Sequence, residues 1–302
     1  MVIINEMLRQ QNEEMNEQVQ APVQEEFDKE AWVQQKREER AAAFSQIDQM
    51  LELAASSQEH LVNLLNVQSR FPRYSVGNAL LIAAQKPDAT KLADYKTWKD
   101  AGTQIKWGEA GIVILGPGSE YTKKDGSTGV SYNTKKVYDI SQTTSEVKEK
   151  KVHRDERLLI KAILQFPPCK VLTDEKDLVP KGQVALYRSE DRAIYVSREL
   201  ETGELFKALS REMAMAHLDK GGKGGDHKNF LAYCVSYMLS SRYGLDVSDY
   251  DFSQIPKEFS DQDKKAVRED LTVMRDILNS LDSEMQRYFD QVKEQKNRDE
   301  AR

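Results

Sequence analysis

Cysteine is scarce in this chain of 302 residues, and its two cysteines, Cys169 and Cys234, lie far apart in the sequence. Two isolated thiols provide neither a disulfide framework nor the paired spacing of a zinc knuckle, so we expect each to be packed or idle. Long apolar runs are also lacking, because no stretch approaches the roughly 20 apolar residues of a membrane span. The first residues lack the basic-then-apolar order of a signal peptide, and we therefore expect a cytoplasmic protein with no membrane partner.

The net charge of −6 does not favour a nucleic-acid partner at first sight, but the charge is unevenly distributed. Residues 1–60 contain thirteen Asp and Glu against five Lys and Arg, whereas residues 70–142 contain eleven Lys and Arg against seven Asp and Glu. The middle of the chain therefore carries a local balance of +4 beside an acidic flank. A basic segment of this kind is a candidate nucleic-acid surface.

Composition and spacing predict an α+β fold with two domains and helical extensions at both ends. The Gln- and Glu-rich start has few apolar anchors, which is typical of disordered or loosely helical chain. The polar stretch SQTTSEVKEKK predicts a linker, and the end of the chain has apolar residues at three- and four-residue steps. The predicted parts are an acidic arm (1–30), a first α+β domain (31–142), a linker (143–152), a second domain (153–256) and an amphipathic helix (257–302).

In the first domain, the sequence predicts helices before Pro72, from Gly77 to Gln85 and over TKLADYKTWKDAG, then a buried strand GIVILGPG that ends at Gly-Pro-Gly. The Asp-Gly pair in YTKKDGSTGVSYN predicts a hairpin turn, with KKVYDIS as the returning strand. In the second domain, the pattern predicts a helix over ERLLIKAILQF, a hairpin formed by QVALYRS and AIYVSRE, and two helices that flank a glycine-rich loop.

Aromatic and cationic residues alternate between residues 70 and 107. Single-stranded nucleic acid requires such a mixture, because bases stack on rings while cations follow the phosphates. In the alternative interpretation the rings form the core of a small domain and the lysines its solvated face, and composition alone favours that alternative. The mixture comprises Arg70, Arg73, Lys86, Lys91, Lys96, Lys99 and Lys106 with Phe71, Tyr74, Tyr95, Trp98 and Trp107.

The segment from Phe71 to Thr143 resembles the N-terminal domain of the ArdC and LtrC-type proteins of plasmids and conjugative elements. It contains, in order, the family's Tyr-Ser-x-x-Asn-x-x-Leu-Ile run, its Gln-x-Pro-x-Ala-Thr, its Tyr-x-x-Trp and a closing KKVYDISQT. The resemblance implies single-stranded DNA binding by an accessory protein of a mobile element, with a conjugation or antirestriction role. We expect Asn78 and Asp139 to act as structural caps.

The residues predicted to bind DNA combine the basic positions with the family motif positions. They are Arg70, Phe71, Arg73, Tyr74, Ser75, Asn78, Lys96, Trp98, Lys106, Trp107, Lys135 and Lys136.

The second domain resembles a zincin metallopeptidase that has lost its metal ligands. Zincins of this family have an HExxH helix and a third carboxylate ligand on the next helix, and here the HExxH frame reads Arg211-Glu212-Met213-Ala214-Met215. The third ligand position falls on Tyr233. Guanidinium, thioether and neutral phenol groups are poor zinc ligands, so we expect no metal, no cofactor and no catalysis, with Glu212 as the remnant of a vestigial site.

Two alternatives to this function remain open. In the first, the chain is a metallopeptidase whose metal site is rebuilt around the loop DKGGKGGDH from His217, His227, Asp219, Asp226 and Glu212. That loop lacks the Gly-Lys-Ser/Thr ending of a phosphate-binding loop. In the second, the chain is an interaction or antirestriction factor that reaches a protein partner through its acidic arm and C-terminal helix.

Overall fold

The computed structural model describes residues 29–122, 125–145, 155–198 and 202–300. The chain divides into two compact units, residues 1–38 and residues 39–302. Of the first unit, residues 29–38 are described, and they are helical. Almost all of the predicted acidic arm, and the linker from residue 146 onward, lie outside the described residues.

The described residues of the first half contain four helices, and side-chain caps mark the start of two of them. They are α1 (Lys29–Ser56), α2 (Gln58–Arg70), α3 (Val76–Gln85) and α4 (Tyr95–Asp100). The Ser75 hydroxyl accepts from Asn78 N–H at the start of α3, and the Asp94 carboxylate accepts from Thr97 N–H at the start of α4. Gly102 has a φ of 73° after α4, as a helix stop requires.

The first sheet has the strand order β1-β3-β2 and is antiparallel throughout. Its strands are β1 (Leu92–Ala93), β2 (Ile112–Thr122) and β3 (Thr128–Asp139). The hairpin predicted at Asp125-Gly126 is confirmed. The predicted end of β2 at Gly-Pro-Gly is wrong, because the strand continues through an irregularity between Pro117 and Glu120. Proline is tolerated there because an edge strand with a bulge needs no donor at that position.

The second half contains a three-stranded sheet with the order β4-β6-β5, flanked by three helices. The elements are α5 (Glu156–Ile163), β4 (Lys170–Thr173), β5 (Ala185–Arg188), β6 (Ala193–Val196), α6 (Thr202–Gly221) and α7 (Lys228–Arg242). The predicted β5–β6 hairpin is confirmed. Strand β4 was not predicted; its four residues pair in parallel with β6 and have no alternating apolar pattern.

The predicted C-terminal helix is interrupted near its start. A short helix, α8 (Lys257–Ser260), is followed by the long helix α9 (Lys264–Glu300). The break follows from capping, because Asp263 lies before α9 and its carboxylate accepts from Ala266 N–H at 2.8 Å. The apolar stripe of α9 is buried as its spacing predicted, through Val267, Leu271, Met274, Leu278, Leu281, Met285 and Phe289.

Buried apolar residues from Ala43 to Phe289 form one hydrophobic cluster. Helix α7 lies in its middle: Tyr237 donates from its hydroxyl to Asn66 of α2 at 2.9 Å, and Arg242 pairs with Asp282 of α9 at 2.5 Å. The α+β class is confirmed, whereas the boundaries 31–142 and 153–256 stay a prediction. No described helix combines the length and apolar character needed to cross a membrane.

Candidate nucleic-acid interface

Trp107 lies at the tip of a tight turn between α4 and β2. The turn is closed by the Glu109 N–H, which donates to Lys106 O at 3.3 Å, and Gly108 adopts a φ of 82° that favours glycine. The Trp107 side chain is fully exposed, at 101% of its reference area. An indole on a constrained turn, with none of the described residues covering either face, is positioned to stack with a planar ligand.

A web of hydrogen bonds fixes this turn to the segment that follows β3. Lys106 N–H donates to Gln142 O at 2.9 Å, and the Lys106 amine donates to Ser141 O at the same distance. The Gln142 amide in turn donates to Ala110 O at 2.8 Å, on the far side of the turn. The ring of Trp107 therefore projects from a rigid support, which reduces the conformational entropy that a stacking contact would cost.

Asp139 organises that supporting segment. Its carboxylate accepts from the N–H groups of Thr90, Lys91 and Ser141 at 2.7 to 2.9 Å, and it caps a short 3-10 turn at Ile140–Gln142. Burial favours a higher pKa for Asp139, but the hydrogen bonds from Ser141, Lys91 and Thr90 outweigh burial and leave the pKa below its ordinary value. The role expected for Asp139, a structural cap, agrees with this geometry.

Further exposed rings and cations lie along α4 and β3. Tyr95 is 59% exposed and Tyr132 is 49% exposed. Hydrogen bonds from Thr97, followed by the charges of Lys135 and Lys96, lower the pKa of Asp94. Tyr132 was not predicted as a site residue; its signal is the two-residue alternation in VSYNTKKVY, which gives Tyr132, Lys136 and Tyr138 one face of β3.

Several predicted DNA contacts are instead interior residues. Phe71 is 9% exposed and packs edge-on against Tyr74 at 5.6 Å, and Trp98 is 4% exposed with its indole N–H donating to Tyr138 O at 2.9 Å. The Arg70 guanidinium is partly buried and donates to Pro87 O. These residues are packed within the fold, as the alternative interpretation of the rings predicted.

Asn78 has a specific structural role beside β2. Its side-chain amide donates to Leu115 O and its carbonyl accepts from Leu115 N–H, both at 2.8 Å. Gln85, two turns further along α3, makes the same pair of bonds to Val113 at 2.9 and 2.8 Å. The two amides replace the strand that the edge of β2 lacks, which satisfies its backbone groups.

The remaining predicted contacts lie at the surface. Arg73, Lys96, Lys135 and Lys136 are exposed, and Ser75 is exposed but used as the cap of α3. Apart from Tyr74, which is half-buried, and Ser75, which serves as a cap, the predicted set divides into a surface group and a buried group. The surface group is Arg73, Lys96, Lys106, Trp107, Lys135 and Lys136.

The predicted vestigial metal site lies where α6 faces the edge strand β5. Glu212 is 9% exposed, and its carboxylate accepts from Tyr187 N–H at 2.7 Å. Burial raises the pKa of Glu212, although the Tyr187 N–H and the charge of Arg211 oppose that shift. Glu212 is therefore engaged with the strand edge, like the amides of α3.

The other ligand positions do not form a metal-binding set. Arg211 is exposed and Met215 is half-buried. The Tyr233 hydroxyl accepts from Asp251 N–H at 2.7 Å, and its ring packs on Tyr250 and Phe252 with centroids 4.9 and 5.3 Å apart. A cation, a thioether and an engaged phenol do not fit the zinc that the zincin resemblance implies.

The alternative metal ligands are not brought together. His227 lies 2.6 Å from Asp270 of α9, and Asp219 accepts from the Tyr187 hydroxyl at 2.9 Å. His217 has a buried Nε2 without a hydrogen-bond partner among the described residues, and burial lowers its pKa. Across the described parts of the chain, no group of three or more His, Cys, Asp or Glu side chains could hold a metal ion.

Comparison with known sequences places these features in a family. Residues 9–162 match the family described as the N-terminal domain of anti-restriction factor ArdC. The chain belongs to this family. An uncharacterized Bacillus anthracis protein is 26% identical over 305 residues, which cover 80% of this chain and 51% of that protein. The chain therefore spans about half the length of this curated relative.

Two solved structures of the antirestriction ArdC protein from the R388 plasmid are also similar to this chain. The metal-free structure is 16% identical with a TM-score of 0.48, over 71% of this chain and 86% of that chain. The Mn(II)-bound structure is 14% identical with a TM-score of 0.46, over 74% and 97% of the two chains. The ArdC family match includes the Trp107 turn, β1, β2 and β3, and it ends within α5.

Proposed function

We propose that this ArdC-family chain binds single-stranded DNA through the surface around Trp107. The observation that carries the proposal is the fully exposed indole on a hydrogen-bonded turn. Because an exposed tryptophan buries none of its large apolar surface, its position is best explained by a ligand that stacks on it. Nucleobases suit this role since each has a flat face, and stacking on a ring stabilises binding by about 1–3 kcal/mol per base.

The charges around Trp107 support a polyanionic ligand. Lys96, Lys135 and Lys136 are exposed near the same sheet, and Tyr95 adds a second exposed ring. Lysines that contact phosphates displace the counterions condensed on the nucleic acid, and the release of these counterions supplies much of the binding affinity. The buried members of the predicted set, Trp98 and Asn78 among them, act in this account as supports for the surface.

We further propose that the part of the chain around α6 and α7 is a non-catalytic, zincin-like module. The support is chemical, since Arg211, Met215 and Tyr233 stand at the ligand positions and Glu212 holds the edge of β5. Without side chains at these positions that bind a metal, Glu212 would have no metal-bound water to deprotonate. The proposed role of the whole chain is an accessory, antirestriction-related function on the DNA of a mobile element.

The dependence of affinity on salt tests the proposal. A fluorescently labelled oligonucleotide of about 20 nucleotides is titrated with the full chain at several salt concentrations. If phosphates are bound, the logarithm of the affinity falls linearly with the logarithm of the salt concentration, with a slope of about −0.7 for each phosphate contacted. Binding that is absent, or that does not respond to salt, contradicts the proposal and favours a protein partner instead.

A further inference from the structure

The β2–β3 hairpin extends beyond the hydrophobic core as an arm, formed by residues 117–122 and 128–133. Pairing continues to Thr122 opposite Thr128, so the arm is ordered as a two-stranded ribbon. At about 3.3 Å per residue its six-residue strands reach roughly 20 Å. Most of its side chains are exposed on both faces, whereas Ile112, Ile114 and Val137 at the base are buried.

Large side chains of the arm face solvent. Tyr121 is 52% exposed, Val130 is 42% exposed and Tyr132 is 49% exposed. The Tyr121 ring lies over Gly129, its partner across the ribbon, where a Cβ atom would come within 2.7 Å of the ring. An isolated two-stranded ribbon is marginally stable in water, so exposed rings on such a ribbon indicate a surface that a ligand covers.

The arm is continuous with the candidate nucleic-acid interface. Successive side chains of β3 alternate between its two faces, so Val130 and Tyr132 of the arm share a face with the exposed Lys136 at its base. Thr134 and Tyr138 lie on the same face. Tyr138 O accepts from the Trp98 indole, next to Tyr95 on α4. A strand of DNA that contacts α4 and the base of β3 would therefore bring its adjoining nucleotides against the arm.

We propose that the arm binds duplex DNA next to the single strand, so that the preferred ligand is a junction between single-stranded and double-stranded DNA. This inference rests on the proposed function. The major groove, about 12 Å wide, admits a two-stranded ribbon. The arm carries the side chains that commonly contact phosphate and sugar, namely Ser119, Thr122, Thr128, Ser131, Tyr132 and Asn133. A hydroxyl-rich ribbon fits DNA better than the apolar centre of a protein interface.

Three labelled probes test the inference: a single strand, the same strand joined to a duplex stem of about 12 base pairs, and the stem alone. The stem is longer than the roughly 6 base pairs that the arm spans. We expect the wild-type chain to bind the junction about tenfold more tightly than the single strand. A truncated variant replaces residues 118–131 by Asn-Gly, which joins the paired residues Pro117 and Tyr132 through a two-residue turn. It should bind the single strand like the wild type and lose the junction preference.

A second variant keeps the length of the arm and replaces its large side chains, as Tyr121→Ser, Val130→Thr and Tyr132→Ser. It decides the result if the truncated chain does not fold. Equal wild-type affinity for junction and single strand overturns the inference, as does a junction preference that survives both changes. Wild-type failure on the single strand contradicts the proposed function instead, and stem binding that is lost on truncation then still supports the arm.

Discussion

Glu212 is the carboxylate that an HExxH frame would use as a general base, and here it accepts a hydrogen bond from the edge of β5. The Tyr187 N–H that it satisfies belongs to an edge strand that pairs with β6 on its other side. Burial destabilises the ionised form of Glu212 and raises its pKa. The hydrogen bond from the Tyr187 N–H offsets only part of that destabilisation. The residue thus serves the fold.

This role predicts opposite outcomes for two substitutions. Glu212→Gln keeps an oxygen for the Tyr187 N–H and removes a buried charge, so the stability at neutral pH should be unchanged or higher. Glu212→Ala leaves that N–H without a partner and should destabilise the chain by about 1–3 kcal/mol. Urea unfolding of both variants measures the difference. A Gln variant as unstable as the Ala variant would contradict the account.

The exposed and buried members of the predicted interface illustrate what residue types alone can establish. The sequence identifies Trp107 and Trp98 equally well as aromatic positions among cations. It does not show that one indole is 101% exposed and the other 4% exposed. That difference arises from the Trp98 N–H bond to Tyr138 O, which needs the sheet to be assembled. The turn beside Trp107, with Gly108 at a φ of 82°, was not predicted from the sequence either.

At the scale of elements, α3 braces the edge of β2 through two side-chain amides. Asn78 and Gln85 each form a donor-acceptor pair with one strand residue, but Asn78 is 8% exposed and Gln85 lies at the surface. The same pair of hydrogen bonds should therefore contribute unequally, because water can replace the lost partner only where it has access.

Alanine substitutions test this bracing. Asn78→Ala should lower the free energy of unfolding by about 1–3 kcal/mol, since it strands the N–H and C=O of Leu115, and Gln85→Ala should cost less than about 1 kcal/mol. Asn133→Ala, which removes an exposed amide of the arm, is the matched control and should have little effect. Equal losses for Asn78 and Gln85 in a denaturant titration would show that exposure does not govern these pairs.

Local signals predicted the elements better than their lengths. The Asp-Gly turn and the apolar stripe of α9 depend on residues within a few positions of one another, so the sequence reveals them. The caps Ser75 and Asp94 were not predicted. The extension of β2 past Pro117 and the existence of β4 depend on partner strands that lie elsewhere in the chain. Tertiary pairing of that kind leaves no periodic pattern in a four-residue strand.

At the scale of the molecule, residues 39–302 share one hydrophobic cluster, and α7 connects its parts. Arg242 of α7 bonds to Asp282 of α9, whose side chain is 8% exposed, and to Ser69 O at the end of α2 at 3.0 Å. Tyr243 also donates to Asp282 at 2.8 Å. Removing one partner of a buried ion pair lowers the free energy of unfolding strongly, because the other charge stays buried without compensation.

Arg242→Ala should therefore destabilise the chain by on the order of 3 kcal/mol, because Asp282 would remain buried without its cation. Far-ultraviolet circular dichroism and tryptophan fluorescence, recorded together during urea unfolding, should report one coincident transition in the wild type and a lower midpoint in the variant. Two separate transitions, of which the substitution shifts only one, would favour independent domains with the boundaries predicted from the sequence.

The central claim, that the Trp107 surface binds single-stranded DNA, is tested most directly by substituting that residue. Trp107→Ala should weaken binding of a labelled oligonucleotide by roughly 1–3 kcal/mol, whereas Trp107→Phe should retain part of the affinity because a ring remains to stack. Leu172→Ala, at an exposed apolar residue of β4, is the control for the loss of exposed apolar surface elsewhere in the chain. Unchanged stability with this graded loss of affinity is the expected result; wild-type affinity in Trp107→Ala would contradict the claim.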